Sequence, residues 1–257
     1  MACTFGRISF FLSLLASTGA LAYQPLVTDD TGTQGVGGNQ LELSYAHARS
    51  DENSGTSTTS RSLPFVYTRG ITDNLDLYAG ISYLRFDTTG APRQSGLGNP
   101  VVGAKWRFYE QQDGWSIGFK PEIQLPVSAD AAAKGLGLNK TSYSGLFIFT
   151  RETGFGEFHV NAAYAHVNDD SGAIRKHQYR LSAAPVWKVA EKCKVALDLG
   201  VLTNPEIWES AWMQYALLGV VYSPADNLDF AIGYQKFFND GPDTNWQATA
   251  GLTWRFR

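Results

Sequence analysis

From Trp246 to Phe256 the chain alternates without a break: Trp246, Ala248, Ala250, Leu252, Trp254 and Phe256 are interleaved with Gln247, Thr249, Gly251, Thr253 and Arg255. A period of two places these sets on opposite faces of one strand. Such a strand separates two solvents. Its length and its aromatics near both ends suit a bilayer crossing, which takes about 9–11 residues in a tilted strand and carries aromatic girdles where hydrocarbon meets headgroups. In hydrocarbon every backbone N–H and C=O must be paired, so this strand needs two neighbours and the sheet must close on itself.

The start of the chain agrees with export. Arg7, an apolar run from Ile8 to Ala16 and a small-residue exit at Ala20-Leu21-Ala22 read as a secretory signal peptide over residues 1–22, so the mature chain is expected to begin at Tyr23. Cys3 then leaves with the signal. Cys193 remains as the only cysteine of the mature chain, which excludes an intramolecular disulfide and a Cys-rich metal site. Cys3 also precedes the apolar run, where a lipoprotein cysteine would have to follow it. Beyond the signal the longest apolar run, Ala216 to Tyr222, falls far short of the ~20 residues of a spanning helix. The formal net charge of -3 gives no reason to expect nucleic acid.

Eleven further alternating stretches precede the last one: Gln40–His47, Ser62–Thr68, Leu75–Phe86, Val101–Tyr109, Trp115–Val127, Thr141–Arg151, Glu157–His166, His177–Val189, Lys194–Thr203, Ala211–Ser223 and Leu228–Phe237. The fold expected is all-β: a closed antiparallel transmembrane β-barrel of about 12 strands. In Trp115–Val127, Trp115, Ile117, Phe119, Ile123 and Leu125 oppose Lys120, Glu122 and Gln124. Slipping that strand by one residue would turn Lys120 to lipid at roughly 2–4 kcal/mol near the midplane, so the apolar face points outward. Thr141–Arg151 is apolar on both faces through Leu146, Phe147, Ile148 and Phe149, as a contact with a plug or a second protomer would explain. The links alternate: five short ones, such as Thr72–Asn74 and Pro224–Asn227, and six longer ones, such as Ser128–Lys140 and Val167–Lys176. Short periplasmic turns, longer extracellular loops and both termini on the periplasmic side follow. A soluble barrel with these faces turned inward would not place Trp106, Trp115, Tyr164, Trp187, Tyr222, Tyr234 and Trp254 near strand ends, nor need alternating links.

The expected inner faces give candidate lumen-lining residues of both signs: Glu42, Asp76, Lys105, Arg107, Lys120, Glu122, Arg180, Asp198, Asp229 and Arg255. A pore selective for one ion sign is expected to carry rings of one charge. Mixed signs fit either a narrow interior crossed by ion pairs or a weakly selective channel. Residues 23–39, polar and glycine-rich, precede the first strand and form a periplasmic-mouth or plug segment, with Asp29, Asp30 and Gln34 as candidate plug residues. For catalysis, His47, His159, His166 and His177 lack an accompanying Gly-x-Ser-x-Gly or His-x-Ser pattern, so no catalytic residue is assigned. Asp29-Asp30 and Asp169-Asp170 lack the ligand spacing of a calcium loop, and Gly96-Leu97-Gly98 and Gly135-Leu136-Gly137 lack a P-loop lysine, so no metal or cofactor is expected.

Several of these stretches resemble one family. Pro25 to Gly35 (PLVTDDTGTQG) ahead of Gln40-Leu41-Glu42, with Gly70 to Leu77 (GITDNLDL), Gly96 to Asn99, Lys120-Pro121-Glu122 and Tyr222-Ser223-Pro224, is similar to the outer-membrane family named for the putative MetA pathway of phenol degradation. The likeness spans essentially the mature chain. One departure is Arg257, which follows the terminal aromatic Phe256. The resemblance implies a transporter-like outer-membrane barrel, related in kind to channels that take up hydrophobic compounds. The functional expectation is a channel for passive uptake or efflux of small, hydrophobic or aromatic solutes, with outer-membrane lipid and the barrel-assembly machinery as partners and the oligomeric state open. Two alternatives share the architecture: a lipid-modifying enzyme dependent on His159 or His166, and a structural or surface-binding barrel.

Overall fold

The structure, a computed structural model, describes residues 24–51, 55–169, 171–238 and 244–257. The expected signal segment, Tyr23 and Asp170 lie outside them. Strand β1 (Asn39–Asp51) is followed by β2 (Ser57–Thr72), β3 (Leu75–Thr88), β4 (Gln94–Leu97), β5 (Val101–Gln111) and β6 (Trp115–Gln124). A short helix α1 (Ala129–Ala133) precedes β7 (Ser142–Thr153), β8 (Gly156–His166), β9 (His177–Ala190), β10 (Cys193–Thr203), β11 (Trp212–Ala225), β12 (Leu228–Phe238) and β13 (Thr244–Phe256). Every pairing is antiparallel and, apart from β3–β5, which skips β4, joins sequence neighbours; β13 returns to β1 from Asn39↔Phe256 to Asp51↔Thr244, so twelve strands close a barrel. The thirteenth, β4, is a strand the alternation did not single out. It pairs with Tyr83–Phe86 of β3, while β5 takes Leu75–Gly80 of the same edge. It thus covers backbone that the late start of β5 leaves open.

The alternation sets the wall's two faces. Leu43 and Tyr45 of β1, Leu63 and Phe65 of β2, and Leu218 of β11 stand exposed on the outside, whereas Glu42, Val66, Lys120 and Leu217 are buried within. An apolar exterior over a polar interior is the arrangement a bilayer selects, since Lys120 turned outward would meet hydrocarbon. The two-faced strand, β7, has a local cause. Its outward Phe147 is exposed, and its inward Leu146 and Ile148 join Leu138, Ala163, Ala165, Val167 and Ile174 in a buried cluster. The links on either side of the β7–β8 hairpin fold into the barrel there. Neither a second protomer nor the N-terminal segment is needed to account for that face.

One expected strand end moves. β6 stops at Gln124 rather than running to Val127, because the Leu125 N–H donates to Pro100 O (2.8 Å) and the Val127 N–H to Leu138 O (2.9 Å). Pro126, between them, has no N–H for a ladder. Asn99 secures this crossing: its amide donates to Leu125 O (2.7 Å) and Leu138 O (2.8 Å), and its carbonyl accepts from the Leu138 N–H (2.8 Å).

Candidate functional site

Residues 24–38 run around the inside of the wall and meet all twelve barrel strands before entering β1. The Gln24 amide donates to Ser44 Oγ of β1 (2.7 Å) and lies against Gly251 of β13. Pro25 rests on β11 and β12 where glycine faces glycine: Gly219 and Gly233 are directly paired. A Cβ on Gly219 would come within 2.6 Å of Pro25 Cγ, and one on Gly233 within 2.9 Å of Pro25 Cβ. Glycine inside a strand often marks close approach of other atoms, and here it makes a seat. Leu26 is 1% exposed among Ala184, Val186, Ala196, Leu202, Met213, Tyr215 and Leu217. Burying such a side chain stabilises by about 1.5–3 kcal/mol.

Beyond Leu26 polar side chains take over. Asp198 of β10 accepts four hydrogen bonds: from the Val27 N–H (2.8 Å), the Thr28 N–H (2.7 Å), the Thr28 hydroxyl (2.8 Å) and the Tyr215 hydroxyl (2.9 Å). Asn161 of β8 closes a reciprocal pair with Asp29, accepting from its N–H (2.7 Å) and donating to its carbonyl (2.9 Å). The Asp29 carboxylate receives Lys120 Nζ of β6 at 2.7 Å and Lys105 Nζ of β5 at 2.9 Å, and Lys105 also reaches Asp30 at 3.2 Å. Two ammonium groups thus balance two carboxylates in a largely buried cluster. Burial alone would push the Asp30 carboxyl up, but Lys105, His159 and the Gly32 N–H together hold it below the usual aspartate value. Further on, the Thr31 N–H donates to Thr150 Oγ1 of β7 (3.2 Å), the Thr31 hydroxyl pairs with Ser116 of β6 (2.5 Å), and the Gln34 N–H meets both Asp76 oxygens of β3 (3.1 Å). Gly37 donates to Gly70 O (3.1 Å) and Gly70 to Gly38 O (2.8 Å). A Cβ on Gly70 would stand 1.8 Å from Gly35 O, so only glycine admits this contact with β2.

The segment divides the interior into two cavities. The one toward the extracellular strand ends has a volume of about 170 Å³, and its walls include Leu26, Val66, Leu84, Phe86, Leu202 and Phe237, with serines and glutamines between them. The one toward the periplasmic ends is about 580 Å³ and polar. Glu42, Asp76, Lys105, Lys120, Asp229 and Arg255 line the second cavity together with Asp29, Asp30 and Gln34. Arg255 pairs with Asp229 at 2.8 Å on its rim. Glu122, which accepts from the Tyr78 hydroxyl (3.2 Å), and Arg180 border a void of about 20 Å³ beside Val27 and Asp29. Asp198 is covered by the segment. Arg107 stands apart, donating to Asp73 O (3.2 Å) and pairing with Glu110 (3.4 Å) at a periplasmic turn.

His159 is fully buried, with Nδ1 3.0 Å from Thr150 Oγ1 and Nε2 3.4 Å from Glu157. Hydroxyl, imidazole and carboxylate stand in a row, and the hydroxyl accepts the Thr31 N–H, so the trio helps to hold the segment. His166 pairs with Asn168 Oδ1 (3.1 Å) and His177 with the Tyr164 hydroxyl (2.9 Å) near the extracellular rim. No group of His, Cys, Asp and Glu able to hold a metal occurs among the described residues. Gly219, Gly233 and Gly251, inward positions that receive Gln24 and Pro25, were not singled out in the sequence. Glycine on the inner parity of three successive strands is the signal that points to them.

The fold has known counterparts. The COG4313 outer membrane channel from Pseudomonas putida F1 superposes with a TM-score of 0.72 at 17% identity, over 88% of this chain and 98% of that one. The NanC porin follows at 0.58 and 11%, over 83% and 98%, and the transport unit of the autotransporter AIDA-I from Escherichia coli at 0.55 and 12%, over 95% and 98%. These likenesses establish a shared outer-membrane barrel fold. No curated protein matches the chain. The profile described as Putative MetA-pathway of phenol degradation matches residues 27–256, from near the start of the inner segment through the closing strand, and the chain belongs to that family.

Proposed function

We propose that this protein is a passive outer-membrane channel for small apolar or aromatic compounds, with residues 23–39 acting as a plug and residues 1–22 removed on export. The observation that carries the reading is the division of the interior by residues 24–38 into an apolar-walled outer cavity and a polar inner one. An engineered cavity of about 150 Å³ suffices to bind benzene, so a volume of about 170 Å³ has room for one aromatic ring. A ring would leave the outside water for the wall of Val66, Phe86, Leu202 and Phe237, and pass to the lower cavity when Pro25 and Leu26 lift from their seat. Family membership and the likeness to the Pseudomonas putida channel support the reading. The polar residues ringing the lower cavity would hydrate the exit. Delivery to the membrane through the barrel-assembly machinery belongs to the same proposal.

The test is conductance in planar bilayers and solute flux in liposomes, comparing the refolded mature chain with a variant lacking residues 24–34. The intact barrel is expected to pass phenol-like solutes in preference to sugars of similar size. The deletion should raise conductance several-fold and erase that preference, with the heat-dependent gel mobility of a folded barrel kept. A folded deletion variant as silent as the parent, or a parent passing sugars as readily as phenols, would count against the reading.

A further inference from the structure

The outer wall carries a basic cluster that the plug does not use, although one member, Arg61, also borders the outer cavity. On β1, β2, β3 and β12 the outward residues are apolar up to a point near the extracellular end and then turn basic. Tyr45 is followed by His47 and Arg49, Leu63 is preceded by Arg61, Tyr83 is followed by Arg85, and Tyr234 by Lys236. These strands, with β13, form one continuous arc. In the sheet register Arg61 stands opposite both His47 and Arg85, while Lys236 and Arg49 flank Trp246. On the remaining arc the outward positions at the same end hold residues such as Val102, Ile123, Tyr143, Tyr179, Leu199 and Trp212, and no lysine or arginine among the described strands.

Within the arc three guanidinium groups converge on a single carboxylate. Arg61 reaches Asp87 at 3.0 Å, Arg85 at 3.3 Å, and Arg93, from the link before β4, also contacts it. Arg49 is separately paired with Asp51 at 2.9 Å. Three positive charges around one negative charge leave an excess of two at a place where the side chains of Arg61 and Arg85 are more than a third exposed and that of Arg93 more so. Like charges are not gathered this way for stability alone, since surface pairs contribute about 0–1 kcal/mol and the guanidiniums repel one another. Each guanidinium meets Asp87 through one nitrogen and keeps further N–H donors, so together they suit a multiply charged oxyanion, because arginine matches phosphate geometry in a bidentate manner. The cluster lies directly above the apolar band that acyl chains would cover. An anion bound there belongs to the headgroup of a lipid whose tails lie on Leu63, Phe65 and Tyr83.

We propose that the β1–β3 face of the barrel binds lipid A, the bisphosphorylated glycolipid of the outer leaflet, through Arg61, Arg85 and Arg93. This rests on the reading that the barrel stands in the outer membrane with its longer loops outward. The refolded mature chain in micelles would be titrated with lipid A, with dephosphorylated lipid A and with phosphatidylglycerol, and retention followed by native mass spectrometry. Wild type should hold lipid A at least ten-fold more tightly than either other lipid. The triple variant Arg61→Gln, Arg85→Gln, Arg93→Gln should lose that margin with the heat-dependent gel mobility of a folded barrel kept, while Asp87→Asn, which keeps all three arginines, should retain it. Equal binding of lipid A by the triple variant, or equal retention of the dephosphorylated lipid or of phosphatidylglycerol by wild type, would overturn the proposal. Orientation is tested separately by labelling Lys140→Cys, in a Cys193→Ser background, on intact cells with an impermeant maleimide. Labelling only after lysis would remove the topological reading whatever the micelle titration gave.

Discussion

Asp198 shows how a single side chain can fix a segment of backbone. Two of its four donors are main-chain N–H groups of Val27 and Thr28, which have no ladder of their own in this region. Asp198→Ala would leave them buried without that acceptor at about 1–3 kcal/mol each, enough to release the start of the segment. The expected outcome is a folded barrel with raised open probability in single-channel records. Removing one lysine acts on the same equilibrium from the other side: Lys120→Met leaves Asp29 with Lys105 alone, and loss of one partner of a buried pair costs about 3–5 kcal/mol. Asp30 contributes one part of the pH response. Its carboxyl lies below the ordinary value near 3.8, so the interaction it contributes is complete at neutral pH and is lost only as pH falls through that depressed range. The release that Asp30 controls should therefore add to conductance only under acid below its ordinary value near 3.8, as current recorded across a pH series would show.

At the scale of elements, the strands were legible because each carries its own period of two, and a two-residue period needs no knowledge of the partner. β4 was not, since Gln94 to Leu97 is too short to show a period and exists only where β3 offers free edge. The inward apolar face of β7 was visible as an anomaly, but its cause lies in Leu138 and Ile174, on links whose inward fold no local pattern announces. The same limit governs the interior. Parity alone puts Lys105 and Lys120 on inner faces, yet their meeting with Asp29 joins positions 76 and 91 residues apart. That distance hides the contact from any local reading. The glycine seat was present in the sequence as unused space. Gly233→Val would fill it against Pro25 and is expected to lift the front of the segment while leaving the β12 ladder intact, giving higher conductance with unchanged urea midpoint; a lowered midpoint with unchanged conductance would show that Gly233 serves the wall instead.

For the whole molecule, closure through β1 and β13 leaves the barrel sheet without a free edge, so its stability in a bilayer depends on an unbroken apolar exterior. Ala250, outward near the middle of β13, tests this: Ala250→Arg is expected to cost about 2–4 kcal/mol and to lower the urea midpoint of refolding into vesicles, whereas Ala250→Leu should be neutral. The inner segment adds something the wall lacks. It passes the strands in descending order, from β12 and β11 through β8 and β6 to β3 and β2, and its far end is continuous with β1. Peeled from its Gln24 end, such a strap gives way one fastening after another, with each step undoing the contacts of neighbouring staves. Passage would therefore be graded rather than all-or-none: a small solute needs only the first fastenings at Gln24 and Pro25 to yield, a bulkier one must strip further toward Asp29, and the rising cost of each successive step sets an upper size for what the barrel admits.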